Sequence, residues 1–133
     1  MSITITRSVD IEDAIRETLD GYMTTYCPPL PADYTLPCIL VQATGGDTAS
    51  TNTGKGKVDT FMVVLDSRAD TESEALEALR NAIGILESTK TEGFSHVEVN
   101  SLYSWGTDPV RPDLKMCSAA LQVTAHRETV TIN

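Results

Sequence analysis

Apolar and polar residues recur along this chain with two different periods, and the changes of period mark its elements. Ile11, Ile15, Leu19, Tyr22 and Met23, with Ala14 beside them, fall at helical spacing and predict a helix over 8–24. Asp10, Glu12, Asp13, Arg16, Glu17 and Asp20 mostly fall off that stripe. Ser8 or Asp10 can cap the start, the acidic first turn suits the helix dipole, and Gly21 weakens the last turn. The segment Cys27-Pro28-Pro29-Leu30-Pro31-Ala32-Asp33-Tyr34 is kept out of a helix by its prolines and predicts an extended connector within one domain.

Beyond the connector, Cys38 to Thr44 predicts a strand that stops at the turn signal Gly45-Gly46. Residues 46–57 are small and polar and predict a flexible loop or a long hairpin tip. Lys57 to Ser67 alternates Phe61, Val63 and Leu65 against Val58, Thr60, Met62 and Val64, so both faces are partly apolar, as in a central or doubly covered strand. Ala75, Leu76, Leu79, Ala82, Ile83 and Leu86 form one continuous stripe, a second helix ending near Ser88, with Thr71 and Glu74 at capping-box spacing. Val97 and Val99 alternate in a third strand over 95–105. Cys117, Ala119, Leu121, Val123 and Ala125 alternate in a fourth over 114–127, and residues 128–133 read as a short polar tail able to pair with another chain.

The predicted order is therefore α-β-β-α-β-β: an α+β domain spanning residues 1–133, with a mostly antiparallel sheet of about four strands and two helices on one face. A chain of 133 residues can bury a real core, and 41% hydrophobic with 22% charged residues is an ordinary globular balance. The net charge of -9 argues against gripping nucleic acid through its phosphates, and suits a surface that DNA passes without sticking. No stretch approaches the ~20 apolar residues of a membrane span, and Met1 to Arg7 is not a charged leader followed by an apolar run, so a cytoplasmic site of synthesis is expected. Cys27, Cys38 and Cys117 are odd in number and lack close spacing, which disfavours a zinc or redox motif; Cys38 and Cys117 read as small buried hydrophobes.

No motif carries chemistry. Gly54-Lys55-Gly56-Lys57 has glycines and lysines, but Ala49 stands where a phosphate loop needs its first glycine and no Ser or Thr follows the lysine. Two solvated lysines on a turn are the simpler account. His96 and His126 lie on strands near Glu98 and Glu128, as on any solvated sheet surface, and neither has metal-ligand spacing. No catalytic residue, metal or cofactor is expected. Tyr103 and Trp105 beside a polar loop are either an interface anchor or a cover for one end of the core.

The order of elements and several short phrases resemble the tail terminator (tail-completion) proteins of long-tailed bacteriophages. The phrases are Leu36-Pro37-Cys38 running to Gly45-Gly46, and Val58 to Ser67 leading into the Glu/Ala/Leu-rich helix. They continue with Val97 and Val99 before Tyr103, Trp105, Asp108 and Pro109, and close with Leu121 to Arg127, so that the resemblance covers roughly residues 8–127. It implies a non-enzymatic virion protein, assembled in the host cytoplasm, that forms a ring (a hexamer in that family) on the head-proximal end of the tail tube. Its implied partners are copies of itself, the major tail tube protein and the head–tail connector; DNA passes through without specific binding, and no membrane is involved. A closed ring needs a heterologous interface. The candidate interface residues are Lys55, Lys57, Trp105, Asp108, Arg111 and Arg127, each weighed against plain solvation. A neck connector, a small enzyme and a cytoplasmic binding module stay open as alternatives.

Overall fold

The structure, a computed structural model, describes residues 1–50, 57–89 and 93–133. The described residues form two helices and seven strands in the order β1 (Ile3–Arg7), α1 (Ile11–Asp20), β2 (Thr25–Tyr26), β3 (Cys38–Ser50), β4 (Lys57–Ala69), α2 (Glu72–Ser88), β5 (His96–Thr107), β6 (Lys115–His126) and β7 (Glu128–Ile132). The predicted α+β class and antiparallel bias hold, but the expectation of about four strands in one sheet does not. Strands β2-β3-β4-β6-β5 make one sheet and β1-β7 a second.

Helix α1 is shorter than its apolar stripe. Asp10, not Ser8, is the cap, and its carboxylate accepts the Asp13 N–H at 3.2 Å. The helix stops at Asp20, and the N–H groups of Tyr22 and Met23 fold back onto the Leu19 carbonyl, which leaves Tyr22 exposed. Ile11, Ile15 and Leu19 remain as its buried face. Helix α2 runs as its pattern predicts: Thr71 accepts the Glu74 N–H at 3.2 Å, and Ala75, Leu79, Ala82, Ile83 and Leu86 are buried.

In the main sheet β3, β4, β6 and β5 pair antiparallel, and β2 adds a two-residue parallel edge. Register places Val41, Leu65 and Ala119 side by side, with Ala43, Val63 and Leu121 next to them. These residues share one face, and both helices pack there in a single core with Ile11, Ile15, Leu19, Leu79 and Leu86. Ser67 also points to that side and satisfies its hydroxyl by donating to the Ala75 carbonyl at 2.7 Å. On the opposite face, at the Cys38 end, the Pro-rich connector lays Tyr34 over Cys38 and Leu114, with Tyr26, Leu30 and Leu36 around them. Strand β4 is central, as its two half-apolar faces suggested: helices cover one face, and on the other the connector reaches it at Arg68, which lies against the Tyr34 ring, while Val58, Met62 and Val64 are half-buried.

Gly45-Gly46 does not end β3. The strand continues to Ser50, with a bulge between Ala43 and Gly45. Gly45 has φ 153°, and a Cβ on Gly46 would collide with the Thr60 carbonyl oxygen. Glycine inside a strand marks a bulge or a close backbone approach, and here the pair provides both. The predicted loop at 46–57 is accordingly strand over 46–50 and at Lys57; residues 51–56 lie outside the described residues.

Residues 128–133, expected as a polar tail, instead supply β7, which pairs with β1 of the same chain. Ile3 faces Ile132 and Ile5 faces Val130 on one side of this ribbon. Thr4 and Thr6 pair with Thr131 and Thr129 on the other, with hydroxyls 3.1 and 3.3 Å apart. At the base, Arg7 pairs with Glu128 at 3.0 Å. Among the described residues the two strands pack chiefly on each other, and on their apolar side Ile5 and Val130 are half-buried while Ile3 and Ile132 stay exposed.

Candidate functional site

Two carboxylates are drawn into the molecule. Asp108, 5% exposed, opens the turn between β5 and β6. Its Oδ1 accepts the N–H groups of Val110 at 2.8 Å and Arg111 at 3.2 Å, the local bonding an Asp in a turn makes. Its Oδ2 accepts the Tyr34 hydroxyl at 2.9 Å and a guanidinium N–H of Arg68. Arg68 also reaches Asp66 at 3.4 Å, and the guanidinium groups of Arg68 and Arg111 lie 5.6 and 5.5 Å from the centre of the Tyr34 ring. This node joins the connector, the end of β4 and the β5–β6 turn. The Val110 N–H leads the groups that hold the Asp108 carboxyl below its ordinary value; burial opposes them, and Tyr34, the Arg111 N–H and the Arg68 charge add to them. Burial pushes the Asp66 carboxyl and the Tyr34 hydroxyl up.

Asp59, 3% exposed, forms the second node at the opposite end of β4. It accepts the Ser8 hydroxyl and the Thr48 hydroxyl, both at 2.6 Å, and faces Arg127 Nε at 3.3 Å. Burial alone would raise its carboxyl, but the hydrogen bonds from Ser8, Thr48 and Arg127, with the Arg127 charge, hold it below the ordinary value. Arg127 is the residue between β6 and β7, and Ser8 follows β1, so Asp59 ties down both strands where the ribbon leaves the body. Sequence reasoning missed Asp59. The signal was available: it lies two residues before Phe61 on the apolar phase of β4, where an acid needs partners. The ribbon was missed as well, although Ile3-Thr4-Ile5-Thr6 and Thr129-Val130-Thr131-Ile132 are wholly β-branched and alternate apolar with hydroxyl side chains at period two.

Both carboxylates have their oxygens occupied by donors and tie segments together. Of the other candidates, Lys57 is exposed at the start of β4, where it pairs with Ser50. Lys55 lies outside the described residues. Trp105 is 47% exposed and Tyr103 36%, so they do not close the core. They stand with exposed Leu102 on β5, the sheet's edge strand, whose pairing slips between Val99 and Ser101 and again before Ser104. Tyr103 takes φ 40° there. Of the five described candidates, Asp108 and Arg111 meet at the Tyr34 node, whereas Arg127 is at the ribbon base, Lys57 at the start of β4 and Trp105 on the free edge.

His96 and His126 are exposed near one end of the sheet, and no three His, Cys, Asp or Glu among the described residues converge as metal ligands. An open hollow of about 460 Å³ lies at the β3 bulge beside Asp59, and another of about 680 Å³ between the helices is lined by Tyr22, Met23, Gly84 and Ile85. No described helix is long and apolar enough to cross a membrane.

Comparison with known proteins adds a fold. No family model matches the chain. No curated protein matches it in sequence. Among solved structures it is similar to a chain of "Virion of native gene transfer agent (GTA) particle", with a TM-score of 0.52 and 13% identity over 84% of this chain and 84% of that one. At that identity the likeness shows a shared fold, one that spans nearly the whole of both chains.

Proposed function

We propose that this chain is a structural virion protein that forms a ring on the head-proximal end of a phage tail tube, stops tube growth and offers the surface to which the head joins. The observation that carries the reading is the fold likeness to a virion-particle chain over 84% of both lengths. It agrees with the resemblance of residues 8–127 to tail terminators. The carboxylates drawn inside serve as ties, and the reading assigns the chain no catalytic step and no cofactor. In it the partners are further copies of the chain, as a hexamer, together with the tail tube protein and the head–tail connector. The charge of -9 keeps DNA in transit from adhering.

Electron microscopy of a lysate in which this gene is inactivated tests the proposal. Overlong tails without heads are expected. Tails of normal length beside DNA-filled heads would transfer the protein to the neck as a connector. Intact, infectious particles would end the structural reading and return the question to an enzyme or a binding module.

A further inference from the structure

We infer that the β1–β7 ribbon is an assembly arm whose apolar face docks on the Leu102–Trp105 edge of β5 in the next copy of the chain. The inference deepens the ring reading and rests on it for a second copy as the occupant.

An isolated two-stranded ribbon is marginal in water unless something covers its apolar face. Here that face is Ile3, Ile5, Val130 and Ile132: Ile5 and Val130 are half-buried, and at the outer end Ile3 is 61% and Ile132 46% exposed. The ribbon's base, by contrast, is firmly held through Ser8 and Arg127 on Asp59. An arm tied at its base, with exposed apolar side chains at its outer end, is built to meet a surface outside its own fold. The β5 edge offers such a surface: Leu102, Tyr103 and Trp105 are exposed on a strand with one side unpaired. Its two pairing slips and the left-handed backbone at Tyr103 disfavour plain strand-to-strand extension, so side chains carry the contact.

Placement makes the contact intermolecular. The ribbon leaves the sheet next to His126, whereas Trp105 pairs with Cys117, nine residues back along β6, or roughly 30 Å at ~3.3 Å per residue. One chain cannot fold its ribbon onto its own β5 patch without leaving Asp59. Charge points to the same partner. In a chain of net charge -9, residues 1–6, 129–133 and 99–107 carry no charged side chain. Ribbon and edge can therefore meet in two copies without bringing like charges together. Two different patches at opposite ends of a molecule produce a head-to-tail contact, the kind from which rings are closed.

Sedimentation velocity of the full chain, up to about 1 mM, reads the contact directly. The ribbon variant is Ile3→Ser with Ile132→Ser; the edge variant is Leu102→Ser with Trp105→Ser. All four side chains are exposed, and the urea unfolding midpoint verifies that the body still folds. The wild-type chain should form species beyond the dimer, and each variant alone should weaken association at least about tenfold. An equimolar mixture of the two variants should stop at heterodimers, because one sound ribbon then meets one sound edge and both remaining ends are spoiled. A wild-type chain that stays monomeric throughout, variants that associate like the wild type, or a mixture that forms no heterodimer would each overturn the inference. The ring reading fails separately: tails of normal length after gene inactivation remove it even where the mixture gives heterodimers, and overlong tails keep it where the mixture gives none.

Discussion

Replacing Asp108 by alanine removes the acceptor on which the connector, β4 and the β5–β6 turn converge. Four donors lose their partner: the Tyr34 hydroxyl, the Arg68 guanidinium and the N–H groups of Val110 and Arg111. Arg68, with a side chain 12% exposed, keeps Asp66 at 3.4 Å as its one remaining carboxylate, beside the Tyr34 ring. Breaking a buried ion pair from one side costs ~3–5 kcal/mol, and the lower end applies because the turn lies at the molecular surface. A loss of ~3 kcal/mol at a urea slope of ~2 kcal/mol/M lowers the unfolding midpoint by ~1.5 M. Tyr34→Phe removes one neutral donor and should cost ~1 kcal/mol. In the double variant the losses should fall short of their sum, because both changes break the same bond. The Asp108 carboxyl is held below its ordinary value in the folded state, chiefly by the Val110 N–H. Its contribution is therefore present above the unfolded carboxylate value of ~3.9 and disappears as pH falls through the lower folded value. Equilibrium urea unfolding followed by circular dichroism at pH 7 and again below pH 4 measures both effects. The wild-type advantage should be full at pH 7 and shrink in acid. An Asp108→Ala midpoint within ~0.3 M of wild type at pH 7 would refute the argument that this node holds the three segments together.

Further consequences follow from single positions. Gly46→Ala drives a methyl group against the Thr60 carbonyl and should destabilise by ~1–3 kcal/mol, whereas Gly84→Ala, which meets nothing within 4 Å and lies inside α2, should stabilise by a few tenths to ~1 kcal/mol; thermal melting compares them. Asp59→Asn loosens the base of the ribbon, so amide exchange at residues 3–7 and 128–132 should accelerate while the α2 amides keep their protection. Thiol titration of the native chain at pH 8 should modify Cys27 alone; Cys38 and Cys117 are buried, burial pushes the Cys38 thiol up to about 11, and both should react only on unfolding.

Helix α2 was legible residue by residue because a one-sided stripe with a capping Thr71 admits a single solution. The alternation of β4 and β6 was equally plain, and the register of Leu65 on Ala119 follows from burying the same phase of both strands. At Gly45-Gly46 the local signal was sound but had two outcomes. The pair could turn the chain or bulge a strand, and the partner strand β4 decided between them. Tyr22 fits the helical stripe of α1 but is exposed, since the helix ends at Asp20 and the phase is lost.

By its own pattern the sequence determined the two helices, the four long strands, the α+β class and the buried state of Cys38 and Cys117, because each depends on neighbours within a few residues. Only tertiary structure decided the rest. Ile3 and Ile132 are 129 positions apart, and neither segment has a reason to be a strand until the other lies beside it. Asp108 and Tyr34, or Asp59 and Arg127, are likewise polar residues of no special spacing until the sheet brings them together. The physical reason is one of range. Periodicity reports burial against a core, whereas a buried charge or a free ribbon is defined by partners that only the folded chain supplies.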